Sequence, residues 1–272
     1  MKVTPKRHFG QHFLRDTAVV ERILRHLQPL PNDLFLEVGA GTGALSASLA
    51  ATGAGLVAVE IDADCYTPLE ATLGPLAGAH VVRGDILGLD LEGAVRPFLK
   101  PQTRLRAAGN LPYNIATAVI ERFLGGRVRF EDLTFMLQLE VAQRITAVPR
   151  TKAYGYFSVF CQRRAEAKLL FRVAPGSFQP PPKVTSAVVA FRPRLQGGLD
   201  PAADEVAKAA FSHRRKTIAN ALALADLDVP PEDLLAAAEI APRRRPEELS
   251  VMEYESLGRQ YRRLRQRERK TL

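Results

Sequence analysis

Leu34-Phe35-Leu36-Glu37-Val38-Gly39-Ala40-Gly41-Thr42-Gly43 runs from an apolar stretch directly into three alternating glycines. The apolar run reads as a buried strand and the glycines permit a tight backbone turn. Leu45 and Leu49 then recur at helical spacing, so the segment predicts strand, loop and helix. The lysine and hydroxyl pair of a phosphate-binding P-loop is missing, which argues against nucleotide triphosphate hydrolysis. Glycine alone separates neither a dinucleotide from S-adenosylmethionine nor either of them from a turn that merely tightens a strand-to-helix connection.

Upstream, Val19, Val20, Ile23, Leu24 and Leu27 predict an amphipathic helix that Pro29 and Pro31 keep from continuing. Downstream, residues 56–60 form an apolar strand ending in Glu60, residues 80–82 lead to Gly84-Asp85, and residues 105–108 lead to Gly109-Asn110-Leu111-Pro112-Tyr113. Acidic or polar residues that follow successive strands line one mouth of an open parallel sheet, so the expected core is α/β with a ligand across that mouth. Ile115 to Leu124 reads as a helix, 133–137 as a strand and 140–145 as helical. Two late apolar segments within 167–191 flank the proline-stiffened loop Phe178-Gln179-Pro180-Pro181-Pro182-Lys183. Composition changes at Gln196-Gly197-Gly198-Leu199-Asp200, predicting a main domain over 1–195 and a smaller helical one over 196–272. Pro230-Pro231 and Pro242 punctuate the second, and Arg262, Arg263, Arg265, Arg267, Arg269 and Lys270 crowd its end.

The 272 residues, 46% hydrophobic and 25% charged, suffice for a sizeable core and do not support wholesale disorder. Thirty-eight Lys and Arg against 29 Asp and Glu leave a charge of +9, which suits an anionic partner, whether nucleic acid or an acidic protein. Cys65 and Cys161 belong to no thiol pair or zinc cluster. With neither an apolar leader nor a membrane span in the sequence, a cytoplasmic location without membrane association is expected. His26, His80 and the two cysteines read as structural.

The chemistry is concentrated in Asn110-Leu111-Pro112-Tyr113, followed by Asn114. An exocyclic adenine amine delocalises its lone pair into the ring, so a site that methylates it must accept the amine hydrogens and favour a pyramidal nitrogen. Asn110 carries a suitable side-chain acceptor. Glu60 is placed to accept hydrogen bonds from ribose hydroxyls, and Asp85 to address an adenine. Each acid taken alone is equally a loop cap.

The ordered signals resemble a Rossmann-like S-adenosylmethionine-dependent methyltransferase. Further segments extend the likeness over nearly the whole chain to the small-subunit ribosomal RNA adenine dimethyltransferase family: Phe9-Gly10-Gln11-His12-Phe13-Leu14, Phe178-Gln179-Pro180-Pro181-Pro182-Lys183-Val184 and Phe211-Ser212-His213-Arg214-Arg215-Lys216-Thr217. The resemblance implies dimethylation at N6 of two adjacent adenosines near the 3′ end of small-subunit rRNA during ribosome biogenesis, by a monomer acting on an immature particle without a metal. It places Gln11, His12, Phe13 and Leu14 at the cofactor entrance and Gly39, Gly41 and Gly43 around its methionine portion. Glu60 with Ile61, Asp85 with Ile86, and Asn110 complete the cofactor set. Asn110, Leu111 and Tyr113 form the reactive loop, Tyr113 and Phe178 stack on the target base, and Arg144, Arg214, Arg215 and Lys216 meet RNA. Arg150, Lys152, Arg243, Arg244, Arg245 and the terminal basic run are further candidates. The chain departs from the family pattern at His12, where asparagine is also common, at Ala40, where proline is common, and at Gln179. Competing readings are methylation of another nucleic-acid adenosine, methylation of protein glutamine, and a noncatalytic ribosome-assembly or transcription factor.

Overall fold

The computed structural model describes residues 3–6, 10–194, 199–225 and 227–271, the side chains of 268–271 excepted. Phe9 of the opening motif, Gln196-Gly197-Gly198 of the expected boundary, and the side chains of Arg269 and Lys270 lie outside the described residues. Two compact units form, one from Met1–Ala142 with Glu166–Pro193 and the other from Gln143–Ala165 with Arg194–Leu272. The second unit thus takes in residues 143–165 as well as the C-terminal helices.

The first unit opens with β1 (Phe13–Leu14) and α1 (Thr17–Leu27). Asp16 caps α1 by accepting from the amides of Ala18 and Val19, and Val19, Val20, Ile23 and Leu27 form its buried stripe. There follow β2 (Asp33–Val38), α2 (Ala44–Ala50), β3 (Gly55–Glu60), α3 (Ala63–Leu73), β4 (Ala79–Arg83), α4 (Leu91–Val95), β5 (Arg104–Asn110), α5 (Ala116–Gly125), β6 (Leu133–Gln138) and α6 (Leu139–Ile145). After α7 (Tyr156–Arg164) come β7 (Ala165–Val173), β8 (Phe178–Gln179) and β9 (Ser186–Pro193). A seven-stranded sheet takes the order β4-β3-β2-β5-β6-β9-β7. The five strands from β4 to β6 are parallel, and β9 returns antiparallel to β6.

Every residue of β2 is buried, as expected of a central parallel strand covered on both faces. Its acids need partners for that reason. Asp33 meets the Arg106 guanidinium at 2.9 Å and that of Arg104 at 2.6 Å, while Arg106 also binds Asp132 at 2.8 Å and the Leu27 carbonyl at 2.7 Å. This network pins the first ends of β2 and β5. At their other ends Gly109 lies so close to Val38 that a Cβ would sit 2.4 Å from the Val38 oxygen. Glycine therefore lets β5 run on against β2 and carry Asn110, its last residue, up to Gly39. Phe178 and Gln179 pair with Leu14 and Phe13 as a separate two-stranded ladder, a long-range match with no local sequence signal.

In the second unit α8 (Pro201–Ser212), α9 (Ile218–Ala223), α10 (Pro231–Ala237) and α11 (Val251–Thr271) join α7. Their core holds Tyr154, Val206, Leu234, Tyr254, Leu257 and Tyr261. Gly258 of α11 faces Ala203 of α8, where a Cβ would fall 2.5 Å from the alanine Cα, so these helices meet almost backbone to backbone. Among the described residues no helix is long and apolar enough to cross a membrane.

Candidate active site

The second ends of β2, β3, β4 and β5 open into a cleft. It is lined by Gln11, His12, Phe13, Gly39, Gly41, Glu60, Ile61, Asp85, Ile86, Asn110, Leu111 and Tyr113. Twelve of the residues singled out in the sequence thus meet on one wall system, although they come from five separate stretches of chain. Parallel strands place their ends side by side, which is why polar residues far apart in sequence converge there.

Glu60 is 5% exposed. Its carboxylate accepts from the amides of Gly41 at 2.7 Å, Ile61 at 3.0 Å and Asp62 at 2.8 Å. Burial pushes its pKa up, and these three amides oppose the rise. The glycine loop and the end of β3 are thereby tied through one acid. Gly41 and Gly39 have φ of +57° and +70°, and a Cβ on Gly39 would press on the Asn110 carbonyl at 3.4 Å and on the Pro112 ring at 3.5 Å. Glycine there allows the two loops to touch. Ile61 stays 41% exposed beside Glu60, an apolar surface facing the cleft, with Ile86 on its wall. Asp85 closes its own turn by accepting from Leu87 at 2.9 Å with one carboxylate oxygen, and the other has no protein donor among the described residues.

In the reactive loop, the Asn110 side-chain N–H donates to the His12 carbonyl at 2.8 Å. That bond fixes the amide orientation and leaves its oxygen without a protein donor among the described residues. Leu111 is anchored by its amide to the Met136 carbonyl at 2.9 Å. Its own carbonyl accepts no hydrogen bond among the described residues, and the following proline holds Leu111 extended. Tyr113 shares a hydrogen bond of 2.6 Å with the Ser186 hydroxyl and stacks on the His12 ring at 5.3 Å. Burial raises its phenol pKa.

Three expected residues stand elsewhere. Leu14 is 7% exposed and Phe178 4%, both packed in the core and paired across β1 and β8, so neither ring nor branch reaches this cleft. Gly43 begins α2 with φ +91° and faces Leu69 and Thr72; its role is to turn the chain into the helix. Arg144, Arg214, Arg215 and Lys216 belong to the second unit. Arg214 is engaged by Glu247 at 2.6 Å and by the Lys152 carbonyl at 3.3 Å. Arg244 is likewise paired with Glu253. The Arg144 guanidinium lies 5.8 Å from the Phe157 ring, and Arg215 and Lys216 are exposed without an ion-pair partner among the described residues.

Several residues that shape the cleft's surroundings escaped sequence reading. Asp62 accepts from the Gln11 side chain at 2.8 Å and from Lys6, which also pairs with Asp64 at 2.8 Å, so the N-terminal segment is latched beside Glu60. Gln11 lines the cleft with its amide committed to that latch. Glu37, two residues ahead of Gly39, is wholly buried, and one of its oxygens has no partner. Burial lifts its pKa to about 7, the nearby Ser46 hydroxyl opposing the rise and the Glu60 charge adding to it. The signal for it was visible as a lone acid in an apolar strand.

Residues 3–258 match the family described as ribosomal RNA adenine dimethylase. The chain belongs to that family. It is 41% identical over 263 residues to ribosomal RNA small subunit methyltransferase A of Nitrosococcus oceani, covering 93% of this chain and 95% of the relative. The same-named protein of Geobacter metallireducens is 41% identical over 264 residues, covering 94% and 95%. Among solved structures, a dimethyladenosine transferase from Plasmodium falciparum shares the fold with a TM-score of 0.78 at 21% identity, over 90% of this chain and 96% of that one. The 23S rRNA methyltransferase ErmE superposes with a TM-score of 0.67 at 25% identity, over 92% and 99%. The Rossmann-like fold, the methyltransferase activity and the use of S-adenosylmethionine follow for this member of the adenine dimethylase family. The cleft suits that cofactor: Glu60 offers carboxylate oxygens, Ile61 and Ile86 offer apolar surface, and Asp85 retains a free acceptor.

Proposed function

We propose that this enzyme dimethylates N6 of two adjacent adenosines near the 3′ end of small-subunit rRNA, acting as a monomer on an immature particle in the cytoplasm. The observation that carries the reaction is the Asn110 amide, locked by the His12 carbonyl so that its oxygen is left for a ligand, with Leu111 lining the same cleft. Glu60 holds the cofactor ribose, Asp85 and Ile86 its adenine, and the loop around Gly39 and Gly41 its methionine portion. S-adenosylmethionine, when bound, supplies an electrophilic methyl group on a sulfonium. The target amine donates its two N–H groups to the Asn110 oxygen and the Leu111 carbonyl, which hold the nitrogen lone pair out of conjugation and in line for transfer. Tyr113 stacks on the extruded base. The nitrogen–methyl bond forms as the sulfonium–methyl bond breaks, the methylated amine then loses a proton to solvent, and the one N–H that remains leaves a single acceptor to guide the second transfer.

The first unit, with the cleft, is the methyltransferase domain, and the helical unit supplies RNA contact. Arg215, Lys216 and Arg144 are its phosphate-binding side chains; Arg214 orders the same segment through Glu247. Immature particles incubated with the protein and isotope-labelled S-adenosylmethionine test this by mass analysis of the rRNA. Two labelled methyl groups on each of two adjacent adenosines are expected. Unlabelled rRNA despite verified cofactor and particle binding would support an assembly role without catalysis.

A further inference from the structure

We propose that Ser186 and His12 are positioning residues that hold the Tyr113 ring as a preset platform for the target base, an inference that rests on the reading of Asn110 to Tyr113 as the reactive loop. Tyr113 is held at two places. Its hydroxyl lies 2.6 Å from the Ser186 oxygen, and Ser186 is fully buried at the start of β9, opposite Gln138 of β6. The ring packs on His12 with centroids 5.3 Å apart and planes 29° from parallel. His12 is itself tied down, its Nδ1 lying 2.8 Å from the Pro180 carbonyl and its own carbonyl accepting from Asn110 at 2.8 Å.

A phenol ring on a loop turns about two torsions, and stacking a base on it costs the freedom of both unless folding has already removed it. Here a sheet strand holds the tip and an imidazole covers one side, while the ring still lines the cleft. His12 stands where the family commonly has asparagine, whose smaller amide cannot offer the same face. One N-terminal residue therefore contacts both ends of the reactive loop, aiming the Asn110 oxygen with its backbone and seating Tyr113 with its ring. The loop holding Pro180 is tied to the same residue.

The test is a double-mutant cycle with Tyr113→Phe, Ser186→Ala and the pair, read on methylation of particles, on cofactor affinity by calorimetry, and on fluorescence of 2-aminopurine placed at the target adenosine. Tyr113→Phe and Ser186→Ala should each lower kcat/KM for RNA about fivefold, as loss of one hydrogen bond does, with the double variant no worse than either. Cofactor affinity should be unchanged, and stacking-induced quenching of 2-aminopurine should weaken in Ser186→Ala and in His12→Ala. Tyr113→Phe keeps the ring and its packing, so if Ser186→Ala folds poorly the tether is still tested by this variant alone, and wild-type kcat/KM in it would overturn the proposal. Additive losses, or quenching untouched by Ser186→Ala and His12→Ala, would overturn the platform. Asn110→Ala distinguishes the underlying reading: full transfer by that variant overturns the reactive loop itself, whereas its inactivity beside wild-type RNA kinetics in Ser186→Ala overturns the platform alone.

Discussion

Glu37 offers a measurement of what it costs to bury an acid under a cofactor loop. Its carboxyl is 2% exposed, one oxygen is unpartnered, and its pKa rises from the ordinary 4.5 to about 7. The native state then holds the proton more tightly than the unfolded chain. Between pH 4.5 and 7 the native state binds more protons, so stability falls as pH rises through this window, is least above it, and regains the full amount below 4.5. At 1.36 kcal/mol per pH unit the difference across the window is about 3 kcal/mol. Glu37→Gln keeps the shape and removes the titration. Urea unfolding of the cofactor-free protein, followed by circular dichroism from pH 4 to 8, should show the wild type losing about 3 kcal/mol relative to Glu37→Gln as pH rises. An offset from the new amide N–H is the same at every pH and leaves this slope intact, and Glu60 is present in both proteins. Parallel stability curves would refute the reasoning and mean that Glu37 is solvated or paired in the native state.

Other expectations follow from the same geometry. Asn110→Ala should reduce kcat by about a hundredfold or more, the usual cost of deleting one preorganised group at a reacting centre, with cofactor affinity by calorimetry nearly unchanged. Glu60→Ala strands three amides and should lower both cofactor affinity and stability, the latter by about 2 kcal/mol, whereas Glu60→Gln retains an acceptor and should lose mainly affinity; calorimetry and denaturation separate the two. Gly109→Ala drives a Cβ into the Val38 oxygen and should leave little folded protein in a thermal melt. Arg106→Ala leaves Asp33 and Asp132 short of a buried partner and should destabilise by about 3 kcal/mol in urea.

The α/β core was legible because its signals are local: an apolar run, a glycine turn and a helical stripe each lie within a dozen residues. The structure extends the strand expected at 105–108 through Asn110, since Gly109 tolerates the Val38 contact that any side chain would block. The polar strand ends converge as parallel topology dictates, which is why Glu60, Asp85 and Asn110 were readable as one site. What sequence could not give depends on pairings across the chain. Phe178, expected against the base, goes into the core because β8 pairs with β1, some 165 residues away. Arg214 meets Glu247, and a basic run shows nothing of which cation is already neutralised. Residues 156–164, helical in the structure, lack a clean apolar stripe because Arg163 and Arg164 are themselves buried against Asp204.

Glu60 is held by three backbone amides; with the cofactor ribose against it, as proposed, the grip falls on a nucleoside that is chemically the same before and after its methyl group has left. A grip placed there is blind to whether the donor is fresh or spent. The demethylated product should therefore compete almost on equal terms, and an enzyme that makes successive methyl transfers must exchange its donor after each one.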